Sequence, residues 1–181
     1  MLRTILIAGS PSADSKTLRL VREVERRLQA LSLSTTLLEL RSLPAEDLLH
    51  ARPDAPAVAD ALAQIADASG VVLATPIYKA AYSGLLKTFL DLMPQHGLRD
   101  KVLLPLATGG SHAHVLALDY ALRPVLQSMD PAQIVGGLFV HEEALKPSQT
   151  GELALGAELS TRLDSVLLGF AAALKHRAYG G

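Results

Sequence analysis

Gly70-Val71-Val72-Leu73-Ala74-Thr75-Pro76-Ile77-Tyr78 is the stretch on which the fold turns. Val71 to Ala74 are apolar without a break, so neither face of the segment meets water. A strand of that kind belongs inside a parallel sheet covered on both sides. Pro76 then stiffens the exit and removes one backbone donor. The same pattern of apolar run and polar exit occurs twice more. Ile5-Leu6-Ile7-Ala8 leads into Gly9-Ser10-Pro11-Ser12-Ala13-Asp14-Ser15-Lys16-Thr17, and the run from Val102-Leu103-Leu104 leads into Thr108-Gly109-Gly110-Ser111.

Outward from these runs, strands are expected at 4–8, 35–40, 70–75, 102–107 and 134–140. Helical spacing fills the gaps between them. Leu18, Val21, Val24 and Leu28 form one stripe over 17–30, and Val58, Leu62, Ile65 and Ala66 another over 56–69, where Pro56 suits a first helical turn. Further helices are expected at 80–93 and 114–129, and Leu159, Leu163, Val166, Leu167 and Phe170 mark a last one. Strict alternation of strand and helix predicts an α/β domain: a flavodoxin-like three-layer α/β/α fold with a five-stranded parallel sheet in the order 2-1-3-4-5. In that winding a ligand sits beyond the carboxyl ends of the strands, between strands 1 and 3. The three polar exits follow strands 1, 3 and 4, so they converge on that one place. The less regular segments 41–55 and 141–156 are expected to be solvated connections, with a border to a substrate or another subunit as the alternative.

The chain has 181 residues, which suits a single domain spanning 1–181. Hydrophobic residues make up 49%, far above the content of disordered chains, and the formal net charge is −1. No global field draws it to nucleic acid or to an anionic membrane. Cysteine is absent, which excludes disulfides, thiolate metal sites and cysteine nucleophiles. Met1 leads directly into the first expected strand and no apolar run nears the roughly 18 residues of a spanning helix, so a cytoplasmic protein is expected.

The first exit suits a phosphate. A helix start presents unpaired N–H groups and a partial positive charge. Ser10, Ser15 and Thr17 add hydroxyls, Lys16 adds charge, and Leu18 follows as the next residue of the cradle. Capping of the helix by Ser15 or Thr17 is the competing role, compatible with the first. Ser15-Lys16-Thr17 imitates a Walker motif, but the second glycine is missing and the spacing from Gly9 is one residue too long. No G-x-G-x-x-G occurs here either. A single phosphate therefore fits better than a triphosphate or pyrophosphate.

The other exits suit a flat ring with polar edges. Backbone groups at Ile77 and Tyr78, stiffened by Pro76, face a ring edge, with Tyr78 stacking or walling the pocket and Ser83 close behind. Gly109 and Gly110 after Thr108 allow close approach and positive φ. Adjacent N–H groups there suit a ring carbonyl that becomes electron-rich on reduction. His112 is a pocket candidate. His112 and His114 do not share a helix face, and no metal site and no catalytic acid, base or nucleophile is expected. Phosphate plus ring makes FMN the leading ligand. Hydride passes directly between a nicotinamide and a flavin, so a site rich in backbone donors and poor in titratable groups is sufficient.

Ala8-Gly9-Ser10-Pro11, the run from Ala74-Thr75-Pro76-Ile77-Tyr78 through Ser83-Gly84-Leu85-Leu86-Lys87, and Leu104-Pro105-Leu106-Ala107-Thr108-Gly109-Gly110 resemble the NADPH-dependent FMN reductases, most closely those of two-component alkanesulfonate monooxygenase systems. The resemblance covers nearly the whole chain. It implies the cofactors FMN and NADPH, a homo-oligomer (dimer or tetramer), and a partner alkanesulfonate monooxygenase that uses the reduced flavin to free sulfite from organosulfonates. It also implies that Tyr120 forms a π-bulge at a subunit interface. Many relatives carry Arg where this chain has Ser12, so phosphate binding leans on Ser15, Lys16 and Thr17. Two alternatives stay open: an FMN-bound quinone or azo reductase, and a flavodoxin-type electron carrier. Carriers are usually strongly acidic, which this chain is not.

Overall fold

The computed structural model describes residues 2–145 and 153–179. In chain order the elements are β1 (Arg3–Ala8), α1 (Lys16–Ala30), β2 (Ser34–Glu39), α2 (Ala45–Leu49), α3 (Pro56–Asp67), β3 (Gly70–Tyr78), β4 (Ala81–Tyr82), α4 (Gly84–Leu90), β5 (Val102–Gly109), α5 (Arg123–Gln127), β6 (Gln133–Ile134), β7 (Leu138–His141) and α6 (Ala157–Tyr179). The sheet runs β2-β1-β3-β5, and β6 and β7 both lie parallel to β5 on its outer side. These two short strands are the expected fifth strand, interrupted once. The winding is therefore the flavodoxin-like one, with β5 in fourth place.

The register explains the unbroken apolar runs. Ile5 pairs with Val71, and Val71 with Leu103. These residues, with Ile7 and Leu73, face a core completed by Val58, Ala61 and Ile65 of α3, Leu86 and Phe89 of α4 and Leu126 of α5. Their neighbours Leu6, Val72, Ala74, Leu104 and Leu106 face a second core, closed by Val21, Val24 and Leu28 of α1 and by Leu163, Leu167 and Phe170 of α6. Each fully buried side chain of this size contributes about 1.5–3 kcal/mol, so both layers are held strongly.

The interruption between β6 and β7 has a cause in β5. The partner of Leu103 is Ile134 but the partner of Leu106 is Leu138, so the outer strand carries one extra residue. Val135 donates to the Leu103 carbonyl at 2.9 Å. Residues two apart in a strand point their backbone groups to the same side, so Pro105 also faces this edge, where it has no N–H to give. A bulge forms opposite it. A Cβ on Gly137 would stand 2.7 Å from the Pro105 carbonyl oxygen, so the closest approach requires glycine.

Two expected helices differ in detail. The helix expected at 80–93 begins only at Gly84, behind the N-cap Ser83. Ala81–Tyr82 instead pairs antiparallel with Ile77 and Tyr78. The two turn residues, Lys79 and Ala80, have φ of 51° and 64°, the signature of a type I′ hairpin turn. Sheet pairing overrode the helix propensity of the two alanines. The helix expected at 114–129 divides into a 3₁₀ turn at His112–His114, a π turn at Leu118–Leu122 that contains Tyr120, and α5. Of the polar segment 141–156, residues 142–145 form a 3₁₀ turn, while 146–152 lie outside the described residues.

Candidate functional site: three loops at the carboxyl edge of the sheet

The first loop ends in the cap of α1. Ser15 is extended, with φ −95° and ψ 118°, and its Oγ accepts from the Leu18 N–H at 3.1 Å. The first turn of α1 carries Lys16 and no acid. A cation there opposes the helix dipole, and acids are the usual choice. A local rule broken at a pocket points to a place for an anionic ligand. Ser15 is the cap, and its O–H remains free to donate outward.

Buried hydroxyls bind the three loops into one frame. Thr17 Oγ1 and Thr108 Oγ1 lie 2.7 Å apart and join the first loop to the third. Ser83 Oγ donates to the Gly9 carbonyl and accepts from the Leu86 N–H, which joins the second loop to the first. The Ser83 N–H donates to Thr75 Oγ1 at 2.9 Å, and the Gly9 N–H to the Ala74 carbonyl at 2.8 Å. Thr17, Thr75, Ser83 and Thr108 are all at most 3% exposed. An unpaired hydroxyl at such a depth would be destabilising by about 1–3 kcal/mol, so the pairing holds the loops in register.

Ser10, Ser15, Lys16 and Thr17 line one open pocket of about 230 Å³ together with Pro76, Ile77, Tyr78, Thr108, Gly109 and Gly110. Three other expected site residues lie elsewhere. Leu18 packs beneath the loop, in a small void beside Ala8 and Ser10. Ser83 is 1% exposed, with its hydroxyl engaged in the frame. His112 borders a neighbouring cavity. At the third loop neither glycine adopts the expected left-handed φ. Glycine is needed there for space. A Cβ on Gly109 would meet the Phe139 ring at 3.1 Å, and one on Gly110 would meet Glu142 Oε1 at 3.0 Å.

Glu142 is the pocket residue that sequence reasoning missed. Its Oε2 lies 3.0 Å from Lys16 Nζ. The available signal was its position, directly after the last strand and so at the same edge as the three loops. Asp14, a second carboxylate of the pocket lining, is ion-paired with Arg19. His141 supports the third loop from behind. Its Nδ1 accepts from the Glu143 N–H at 3.3 Å, which leaves Nε2–H to donate to the Gly110 carbonyl at 2.9 Å. The His112 ring stacks on His141 at 4.9 Å.

The neighbouring cavity is larger, about 730 Å³, and lies between the π turn, β7 and α6, with His112, Arg123, Phe139, His141 and Arg162 on its wall. It touches none of the three loops. The smaller pocket is the better candidate because backbone donors, a helix start and a lysine converge there. Among the described residues no group of three or more His, Cys, Asp or Glu is placed to hold a metal ion. No described helix is long and apolar enough to cross a membrane.

The pocket fits FMN in its donor set: a helix start with a lysine in its first turn for the phosphate, and glycine backbone beside a tyrosine for the ring. Comparison with known proteins agrees. Residues 2–146 match the family described as NADPH-dependent FMN reductase. The chain is 42% identical to an FMN reductase (NADPH) of Escherichia coli K12, over 97% of this chain and 92% of that one. It is 41% identical to an FMN reductase (NADPH) of Pseudomonas putida KT2440, over 96% and 88%. Its backbone superposes on the apo crystal structure of the NADH:FMN oxidoreductase EmoB with a TM-score of 0.89 and 36% identity, covering 96% of this chain and 90% of that one. With a site of matching chemistry at the switch point of its sheet, the chain belongs to the NADPH-dependent FMN reductase family.

Proposed function

We propose that the protein transfers hydride from NADPH to FMN and releases the reduced flavin to a separate flavin-dependent alkanesulfonate monooxygenase, acting in the cytoplasm as a homodimer or homotetramer. The observation that carries the flavin reading is the convergence of the three loops on one pocket. The NADPH reading is supported by relatives that are 42% and 41% identical and carry that donor in their names. The sulfonate partner is supported by the resemblance of the three loop motifs to sulfonate-system reductases. The exposed Tyr120 within a π turn supports an oligomer contact on that helix.

Each part of the site has a definable task. Ser15 and Lys16, with the amides that open α1, hold the phosphate. Backbone groups of Ile77, Tyr78, Gly109 and Gly110 fix the ring edge, and Tyr78, half exposed, walls the open side. The bound flavin supplies the hydride acceptor itself. The chain's contribution is to orient two rings face to face and to keep the edge donors in place as the ring gains charge. Residues 9 and 110 are anchored by backbone or imidazole hydrogen bonds, so this geometry is preformed.

Purified protein mixed with NADPH tests the reading through the loss of nicotinamide absorbance. The expected outcome is slow oxidation alone and fast oxidation with added FMN. Rapid quinone turnover by protein that retains flavin through gel filtration would favour the quinone reductase instead. No NADPH oxidation under either condition would refute both.

A further inference from the structure

Lys16 is partnered by Glu142, and this pairing has consequences for any phosphate that enters. The two groups come from opposite ends of the fold, one opening α1 and the other following β7, and meet at 3.0 Å. Glu142 is held in place from both sides. It opens the 3₁₀ turn Glu142–Leu145, whose Leu145 is fully buried and whose last carbonyl accepts from Arg19 at 3.4 Å. Its other carboxylate oxygen lies over Gly110, at 3.0 Å from where a Cβ would stand. The carboxylate thus spans the pocket from the first loop to the third. Asp14, the other acid in the lining, is neutralised by Arg19.

We infer that Glu142 is a built-in competitor for the flavin phosphate: it holds Lys16 in the free protein and must surrender it when phosphate binds. The inference rests on the reading of the first loop as the phosphate site. The side chains of Lys16 and Glu142 are 35% and 40% exposed, and pairs this exposed are weak, so the exchange is easy in both directions. A phosphate that takes the ammonium must first displace the carboxylate and then lies within a few ångströms of that released negative charge, which weakens its hold. The result is lower affinity for FMN and faster release, with no effect on an unphosphorylated flavin. That is the behaviour of a protein for which flavin is a substrate that leaves after each turnover.

Dissociation constants of FMN and riboflavin, measured by quenching of flavin fluorescence in the wild type, Glu142→Gln and Lys16→Ala, test this. Glu142→Gln is expected to tighten FMN about three- to tenfold and to leave riboflavin unchanged. Lys16→Ala is expected to weaken FMN selectively. If Lys16→Ala discriminates between the flavins but Glu142→Gln leaves FMN unchanged or weaker, the competitor role is overturned. If Lys16→Ala weakens both flavins equally, the phosphate reading itself fails and the inference falls with it.

Discussion

The Tyr120 hydroxyl donates to the Ala80 carbonyl at 2.8 Å, across 40 residues of chain. This bond ties the π turn at Leu118–Leu122 to the type I′ hairpin whose first strand carries Tyr78 into the pocket. Ala80 is one of the two hairpin residues held at positive φ. The extra residue of the π turn and the strained turn of the hairpin thus lean on each other, beside the expected ring site.

Removing that bond tests the coupling. Tyr120→Phe keeps the ring and loses the donor, at an expected loss of about 0.5–1.5 kcal/mol in stability. FMN affinity is expected to fall about two- to fivefold by fluorescence titration, because the hairpin under Tyr78 loosens. Unchanged affinity would show that the π turn does not support the flavin pocket.

The hairpin turn carries a direct test of strain. Ala at φ 64° is in the left-handed region that favours glycine. Ala80→Gly is expected to stabilise the fold by about 1 kcal/mol, a rise of roughly 2–4 °C in melting temperature for a chain of this length. Thermal denaturation followed by circular dichroism measures it, and a fall in melting temperature would contradict the strain.

The bulge opposite Pro105 gives a paired prediction. Gly137→Ala places a methyl group 2.7 Å from the Pro105 oxygen, whereas a Cβ on Gly136 meets nothing within 4 Å. The first change is expected to destabilise by about 1–3 kcal/mol and the second by less than about 0.5 kcal/mol in chemical denaturation. Equal effects would refute the close approach.

These cases show how far the residues themselves revealed the architecture. Ile5 to Ala8 and Val71 to Ala74 announce strands buried on both faces because consecutive residues feed two different cores. The carboxyl edge of those strands then locates the loops. The hairpin was not legible, because Lys79 and Ala80 carry none of the Gly or Asn that normally mark a type I′ turn. Its existence depends on the pairing of Ala81 and Tyr82 with β3, a tertiary event. The bulge had a visible signal in Pro105 and the Gly136-Gly137 pair, which only the strand register connects. Glu142 was hidden for a different reason: its partner is 126 positions away, and no local pattern predicts such an ion pair.

Stability should also depend on pH through α1. Glu23 accepts from Arg26 at 2.7 Å and from Arg27 at 2.6 Å, and Arg27 continues to Asp164 on α6. The hydrogen bond from Arg26 holds the Glu23 carboxyl below its ordinary value of 4.5. The folded state therefore binds fewer protons here than the unfolded state as the pH falls from that value. The stabilisation is complete above the ordinary value and is lost as the pH drops through the lower folded-state value. Glu23→Gln is expected to cost about 1 kcal/mol at neutral pH and little at pH values well below the carboxylate range. Melting curves of both proteins across that window check it; a constant difference would contradict the linkage.

The most direct test of the flavin site is a crystal structure of the protein with FMN. The expected result has the phosphate within hydrogen-bond distance of Ser15 and Lys16 at the start of α1, and the ring edge against the backbone of Ile77–Tyr78 and Gly109–Gly110. Flavin seated instead in the larger cavity, against His112, Arg123 and Arg162, with the three loops untouched, would contradict it.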